Sequence, residues 1–422
     1  MLLVEQHIIK RHDPRWEKID DTSFCAKNLY NAANYVIRQT FFNEDIFINY
    51  SKLDKIMQRT PEYRALPAKV SQWVLKDLTN NWVGFFQALK EWQVNPGAFL
   101  GKPKPPTYRH KTDGRFKLTY TIQAISRRFL RRGIVRPSQL GIDVQTRIPA
   151  ELIRQVRVCP RKHFYVVEVV YEVEERECND TPCIVAGIDI GVDNLAAITS
   201  NKPGFVPILV NGRPLKSINQ FYNKKMAALQ QEQAEHGYAK RRTKRMDVLT
   251  ERRNRRVRQY MHAASRTIID MLCEQGVDTL IIGKNKQWKQ KANIGRRNNQ
   301  NFVQIPHARF IDMLCYKAEL EGIRVILQEE RYTSKCSFLD LEDVGKHEKY
   351  LGKRVKRGLF KTHDGTLMNA DVNGSYNIIR KAFPNAFSEN EIEGVVVRPV
   401  RISLNAMRQT QKSNVNTCLL NC

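Results

Sequence analysis

A chain of 422 residues is long enough for two or three domains and their cores, so size alone calls for neither a disulfide nor a metal. A formal net charge of +27 and a pI of about 9.8 give a surface that attracts phosphate polyanions through the release of condensed counterions; a ribosomal-type basic protein and a membrane-surface protein are the plainer readings. No run of eighteen or more apolar residues occurs, and charges interrupt the apolar start MLLVEQHIIKRHD, which predicts a soluble, cytoplasmic protein without membrane partners, nucleoid-associated in a prokaryote.

From the N-terminus, LLVEQHIIK has strand character. Residues 22–42, TSFCAKNLYNAANYVIRQTFF, carry Phe24, Leu29, Ala32, Ala33, Val36 and Ile37 at helical spacing, with Thr22 or Ser23 as the expected N-cap. A second helix over about 67–93 opens on Pro67 and is stopped by VNPG. Its Trp73, Trp82, Phe85, Phe86 and Trp92 are read as core rather than as platforms for bases, because they recur at helical spacing. Residues 96–180 are Pro- and Gly-punctuated, basic and rich in short alternating runs. A hairpin is predicted there, from strands at 155–159 and 164–174 around a turn at 160–163.

From Ile184 the pattern alternates between strands and helices, which implies a mixed sheet flanked by helices. IVAGIDIGVDNLAAITS reads as two strands around a Gly-x-Asp-x-Gly turn. A long helix follows whose opening, residues 240–258, holds ten Lys or Arg in nineteen positions. So many like charges repel unless an anion neutralises them, so Lys240, Arg241, Arg242, Lys244, Arg245, Arg252, Arg253, Arg255 and Arg256 are assigned to phosphate contact. Next come a strand at 279–282, a basic loop, a helix over 306–321, a strand at 324–330 and a last helix that opens within MNADVNGSYNIIRKAF. Residues 401–422 are polar and aperiodic and are expected to be disordered.

Nine cysteines without any Cys-x-x-Cys pair suggest reduced thiols, and no convergent four-ligand zinc set is visible. Acidic residues are more informative. Asp189 stands in an apolar stretch, where a charge costs several kcal/mol unless a cation or hydrogen bonds compensate it, and Gly187 and Gly191 are expected to leave room there for a bulky ligand. Asp371 lies at a helix start, where simple N-capping is the plainer alternative. A first-strand Asp and a late helix-start Asp are two of the three carboxylates of an RNase H or RuvC nuclease centre, in which three acids hold two Mg²⁺ ions about 4 Å apart.

The segments GIDIGVDNLAAITSNKPGFVPILVNGRPLKSINQFYNK, FVQIP, ERYTSKCSFLD, KRGLFKTHDG and NADVNGSYNIIRKAFPNAF, with AKNLYNAANYVIRQTFF near the start, together resemble the TnpB/OrfB family of transposon-encoded RNA-guided nucleases, relatives of type V CRISPR effectors. The resemblance implies an α+β multidomain protein. Its parts are a helical recognition domain (21–95), a β-barrel-like wedge domain (1–20 and 96–182) and an RNase H-like (RuvC) nuclease domain (183–400). It also implies guide RNA and target DNA as partners, a two-ion Mg²⁺ site and cleavage beside a short transposon-adjacent motif. A nuclease-dead, RNA-guided repressor and an accessory transposition regulator are the alternatives.

Two departures from the family pattern stand out. Gly283 occupies the strand end where a glutamate is usual, and only Cys336 remains of the zinc-ribbon cysteines, so zinc is not expected and the segment at about 332–368 is read as a ribbon-like hairpin without metal. The missing carboxylate is assigned to Glu330. With the 324–330 strand beside the 279–282 strand and that one beside Asp189, steps of about 4.8 Å put its end roughly 10 Å from the Asp189 backbone, within reach of a long side chain. Relocated glutamates of this kind occur in the family. Glu329 and Glu330, as strand neighbours, cannot both face inward, and Glu330, beside the YTSK segment, is the choice. The catalytic and metal-binding set is thus Asp189, Glu330 and Asp371, with inactivity as the alternative.

Overall fold

The computed structural model describes residues 1–179, 181–238, 242–285, 296–387 and 394–404. The chain divides into two compact units, residues 1–174 and 175–422.

The first unit contains β1 (Leu2–Lys10), α1 (Trp16–Glu44), α2 (Tyr50–Met57), α3 (Pro61–Arg64), α4 (Ala68–Val94), β2 (Leu118–Thr121), α5 (Arg127–Leu130), β3 (Ile134–Val135), β4 (Val144–Gln145), β5 (Ile153–Pro160) and β6 (Phe164–Glu172). Strands β1, β6, β5 and β2 form an antiparallel sheet in that order. The N-terminal strand thus joins the sheet built by residues more than a hundred positions later. The helices and this sheet share one hydrophobic core, in which Ile19, Leu29, Ile37, Leu78 and Trp82 meet Leu118, Val156 and Val167. Trp82 is fully buried and its indole N–H donates to Asn34 Oδ1 at 3.0 Å, which makes it a core anchor rather than a base platform. Helix α1 begins six residues before the expected cap. Thr22 lies inside it and satisfies its hydroxyl by donating to the Lys18 carbonyl at 2.7 Å, so a Ser/Thr pair that resembles a cap is here a helix-interior pair.

The second unit contains β7 (Val185–Asp189), β8 (Asn194–Ser200), β9 (Ile208–Asn211), α6 (Arg213–Glu235), α7 (Lys244–Glu274), β10 (Thr279–Gly283), α8 (Arg296–Gln304), α9 (His307–Leu320), β11 (Arg324–Gln328), β12 (Lys353–Lys356), β13 (Leu359–Lys361), β14 (Leu367–Asn369), α10 (Ala370–Ala382) and β15 (Val400–Ile402). Six strands form a mixed sheet in the order β11, β10, β7, β8, β9, β15. Strand β10 runs parallel to both β7 and β11, with Ile282 opposite Ile188 and Gly283 opposite Gln328.

Alternation along the strands decides what each face carries. In β7, Ala186 and Ile188 join the core beneath α7 and α9, while Val185 packs with Ile378 and Ile379 of α10 on the opposite face. In β10, Leu280 and Ile282 take the first face and Ile281 the second. By the same period of two, Asp189 and Gly283 end their strands on the α10 side.

Several expected boundaries shift. Strand β11 stops at Gln328, so Glu329 and Glu330 follow the strand instead of ending it. Helix α6, which packs along α7, was not among the predicted elements. Arg401 and Ile402, placed in the disordered tail by composition, instead belong to β15, which pairs in parallel with β9; residues 405–422 lie outside the described residues. The ribbon-like hairpin is present as β13 and β14, with β12 as a third strand.

Candidate active site

Asp189 stands at the end of β7, and α10 lies against it at unusually short range. Two glycines permit this approach. A Cβ on Gly374 would lie 2.7 Å from Asp189 Oδ2, and one on Gly187 would lie 2.6 Å from both Ile379 Cγ1 and the Ser375 carbonyl. Gly187 therefore seats a helix and does not clear space for a ligand, and Gly191 is equally confined, by the Asn194 carbonyl across the hairpin turn. Ser375 locks the contact by donating to the Gly187 carbonyl at 2.9 Å.

Asp371 sits in the first turn of α10 but is not its cap. Asn369 caps the helix, accepting the Asp371 and Val372 amides at 2.9 and 3.3 Å, which leaves the Asp371 carboxylate for other use. Asn194 of β8 donates to Asp371 Oδ2 at 2.7 Å, and Arg401 of β15 donates to Asn194 Oδ1 at 3.1 Å, fixing which way that amide points. Arg354 of β12 reaches to 3.8 Å from Asp371 Oδ1.

Glu330 fills the space that Gly283 leaves empty. A Cβ on Gly283 would lie 2.7 Å from Glu330 Cγ and closer still to its Oε1. Asn285 donates to Glu330 Oε2 at 2.8 Å, whereas the buried Oε1 has no hydrogen-bond partner among the described residues. Glu329 is exposed. The glutamate thus arrives by the route anticipated from sequence, from the chain after β11, but the chain end and not the strand's alternation aims it.

The electrostatics tie the three acids together. Burial, then the charge of Glu330, then that of Asp371 push Asp189 well above the usual carboxylate range, while Arg354 pulls the other way. Burial pushes Glu330 up to about 7. Asp189 therefore feels both other carboxylates. Among the described residues no three His, Cys, Asp or Glu side chains are grouped closely enough to form a ready-made metal cage.

The cationic helix divides by function of its side chains. Arg252, Arg255 and Arg256 are exposed, as are Lys244 and Arg245, and these line a groove of about 1010 Å³ between α6 and α7. Arg253 is turned inward, donating to Asn219 Oδ1 at 2.8 Å and to the Gln304 carbonyl at 2.5 Å, and burial lowers its pKa. Arg242 is held by Asp247 and by Thr250 Oγ1, both on α7, at 2.5 and 2.7 Å. Both arginines thus have partners within the unit, Arg253 half-buried and Arg242 still exposed. Lys240 and Arg241 lie outside the described residues.

Sequence reasoning missed Asn194, Asn285, Arg354 and Arg401. Their partners are distant in the chain, so no spacing signals them.

The profile of OrfB_IS605, a probable transposase, matches residues 168–289, and that of the Cas12f1-like TNB domain matches residues 307–378. Both profiles describe proteins of the TnpB/Cas12-related kind, and this chain is similar to them over those two segments. A TnpB-like protein, ORF457 of Acidianus two-tailed virus, is 25% identical over 227 residues, which are 51% of this chain and 44% of that protein, so this chain spans less than half of that relative. The fold is like that of a Cas12f1 chain solved by cryo-EM with sgRNA and target DNA, at a TM-score of 0.51 and 17% identity over 86% of this chain and 82% of that one. The two segments matched by the TnpB/Cas12-related profiles bracket the acidic cluster, with Asp189 in the first and Glu330 and Asp371 in the second. No helix among the described residues is long and apolar enough to cross a membrane.

Proposed function

We propose that this chain is an RNA-guided, Mg²⁺-dependent DNA endonuclease with a RuvC-like centre formed by Asp189, Glu330 and Asp371. The observation that carries this reading is the Glu330 carboxylate in the space vacated at Gly283, beside Asp189 and with one buried oxygen unpartnered. A protein that needed only a stable strand end would place an apolar side chain at position 283. A carboxylate brought there from another segment and left half-satisfied is costly without a cation.

Three carboxylates are the hard oxygen donors that Mg²⁺ takes. Asp189 interacts electrostatically with both of the others. Asp189, Glu330 and Asp371 would together hold a pair of Mg²⁺ ions. When bound, such a pair activates water and stabilises the leaving oxygen of a phosphodiester. The chain's own contribution is to hold the carboxylates: Asn194 orients Asp371, Asn285 orients Glu330, and α10 is seated on β7 through Gly187 and Gly374. Arg354 adds a positive charge at the cluster's edge.

Sequence choice in such an enzyme belongs to guide–target pairing, while the protein supplies charge, shape and cleavage. The exposed cations of α7 would contact phosphates of the guide or target. The helices and antiparallel sheet of the first unit would form the recognition and wedge regions that grip guide RNA and the short DNA motif.

The test is single-turnover cleavage of a guided target. Asp189→Ala, Glu330→Ala and Asp371→Ala should each lose Mg²⁺-dependent cleavage while retaining guide and target binding, because each removes a metal ligand and no phosphate contact. Glu329→Ala should cut normally. A wild-type complex that binds guided targets and never cuts them would replace this reading with the repressor. Copurifying RNA without a discrete length would remove guidance.

A further inference from the structure

Strand geometry does not by itself put Glu330 in place, since β11 ends two residues earlier. Side chains on either side of it complete the positioning. After β10 and β11 part, the Lys284 amide still donates to the Gln328 carbonyl at 2.8 Å, which carries Asn285 to a position opposite Glu330. Asn285 then bonds Glu330 twice. Its Nδ2 donates to Oε2 at 2.8 Å, and its Oδ1 accepts the Glu330 backbone N–H at 3.1 Å. From the other side the Glu330 carbonyl accepts the Thr333 hydroxyl at 2.8 Å and the Thr333 amide at 3.1 Å. Asn377 of α10 in turn donates to the Thr333 and Cys336 carbonyls at 3.0 and 2.7 Å.

We propose that Asn285 is a positioning residue that fixes the Glu330 carboxylate over Gly283, with Thr333 and Asn377 bracing the same residue from the α10 side. The chemistry selects the side chain. A group at 285 must donate to a carboxylate and accept from a backbone N–H at once, and a primary amide does both with one rigid plane. Aspartate would set a second negative charge against Oε2, and alanine would free both the N–H and the carboxylate. With Oε2 occupied by Asn285, Oε1 is the oxygen left for a ligand. Gly283 and Asn285 therefore act as a pair: the first leaves the volume, the second holds what enters it. The bracing from α10 also couples the positions of Glu330 and Asp371, since Asn377 and Asp371 share that helix.

This inference depends on the nuclease reading only for the ligand, so the test has two arms, both on the full chain. In metal-free protein, hydrogen–deuterium exchange reports the Glu330 amide. Asn285→Ala should expose that amide while the amides of β10 and β11 stay protected. In the second arm, calorimetric titration with Mn²⁺ should show affinity 10- to 100-fold weaker for Asn285→Ala, as expected when a partner that orients a ligand is removed. Thr333→Val, similar in volume but without the hydroxyl, should weaken Mn²⁺ binding in the same direction, and decides the matter if Asn285→Ala fails to fold. Wild-type Mn²⁺ affinity in the variant that folds would overturn the proposal. So would a Glu330 amide that stays protected in Asn285→Ala. If the wild-type protein takes up no Mn²⁺, the metal-dependent reading fails, and the exchange arm alone judges the clamp.

Discussion

Gly283→Ala is a small change with a large expected effect, because the new methyl would compete for space with a carboxylate. The added Cβ would stand 2.7 Å from Glu330 Cγ and 2.7 Å from Ile378 Cδ1. Carbon atoms in contact prefer about 3.5–4.0 Å, so the glutamate must retreat by about 1 Å. Ile378 can rotate its terminal methyl away, but the Glu330 backbone is held by Asn285 Oδ1 and its carboxylate cannot swing without breaking the bond from Asn285 Nδ2. A misplacement of about 1 Å at a reacting centre costs on the order of 100-fold in rate, or about 2.7 kcal/mol in the barrier. Single-turnover cleavage with saturating guide and Mg²⁺ should therefore fall about 100-fold, with target affinity unchanged. A Glu330→Ala background, itself expected not to cut, removes the obstructed carboxylate. Gly283→Glu in that same background should recover part of the activity, since Gly283 has no left-handed φ to strain a side chain and the crowding atoms of Glu330 are gone. A Gly283→Ala enzyme within threefold of wild type would refute the argument that Glu330 acts from this position.

Replacing Arg252, Arg255 and Arg256 with Gln should flatten the dependence of log Kd on log salt by about 0.9 for each duplex phosphate that is no longer neutralised, measured by titration at several ionic strengths. Arg253→Gln should instead lower the melting temperature with the salt slope unchanged, because Arg253 bonds Asn219 and the Gln304 carbonyl. Burial lowers the Lys317 ammonium from 10.5 to about 8, although it donates to the His262 carbonyl and Ser265 Oγ. Between pH 8 and 10.5 the unfolded chain then binds more protons at this residue than the folded one, so Lys317 makes stability rise with pH across that window. Urea denaturation of wild type and Lys317→Met should show a stability difference that shifts toward the wild type as pH rises from 8 to 10.5, and a constant difference would contradict this.

Much of the second unit was legible because its signals are local. Strands β7 and β10 read as short apolar runs, and α9 and α10 as amphipathic periods. Asp189 drew attention as a charge in an apolar stretch, whatever its neighbours. The order of β7, β10 and β11 was an expectation carried by the family resemblance, and the sheet has it. Boundaries were less legible. Thr22 and Ser23 carry a cap's chemistry inside α1, and Arg401 and Ile402 lie in a polar segment whose strand exists only because β9 offers an edge to pair with.

The sequence by itself determined which residues were chemically out of place: an aspartate among aliphatic residues, a glycine at a strand end where a glutamate is usual, and two adjacent glutamates at the end of the strand predicted over 324–330. Only the tertiary structure shows which of those glutamates is turned inward, and how. Glu330 lies past the end of β11, where the period of two no longer applies, so its direction is set by Asn285, Thr333 and Asn377. The outer two of those partners come from segments 45 residues before and 47 residues after it along the chain. The same limit applies to the cationic run of α7. Composition gives its charge, but whether an arginine faces solvent or, like Arg253, a neighbouring helix depends on the packing of α6 and α8, and no property of the run itself contains that.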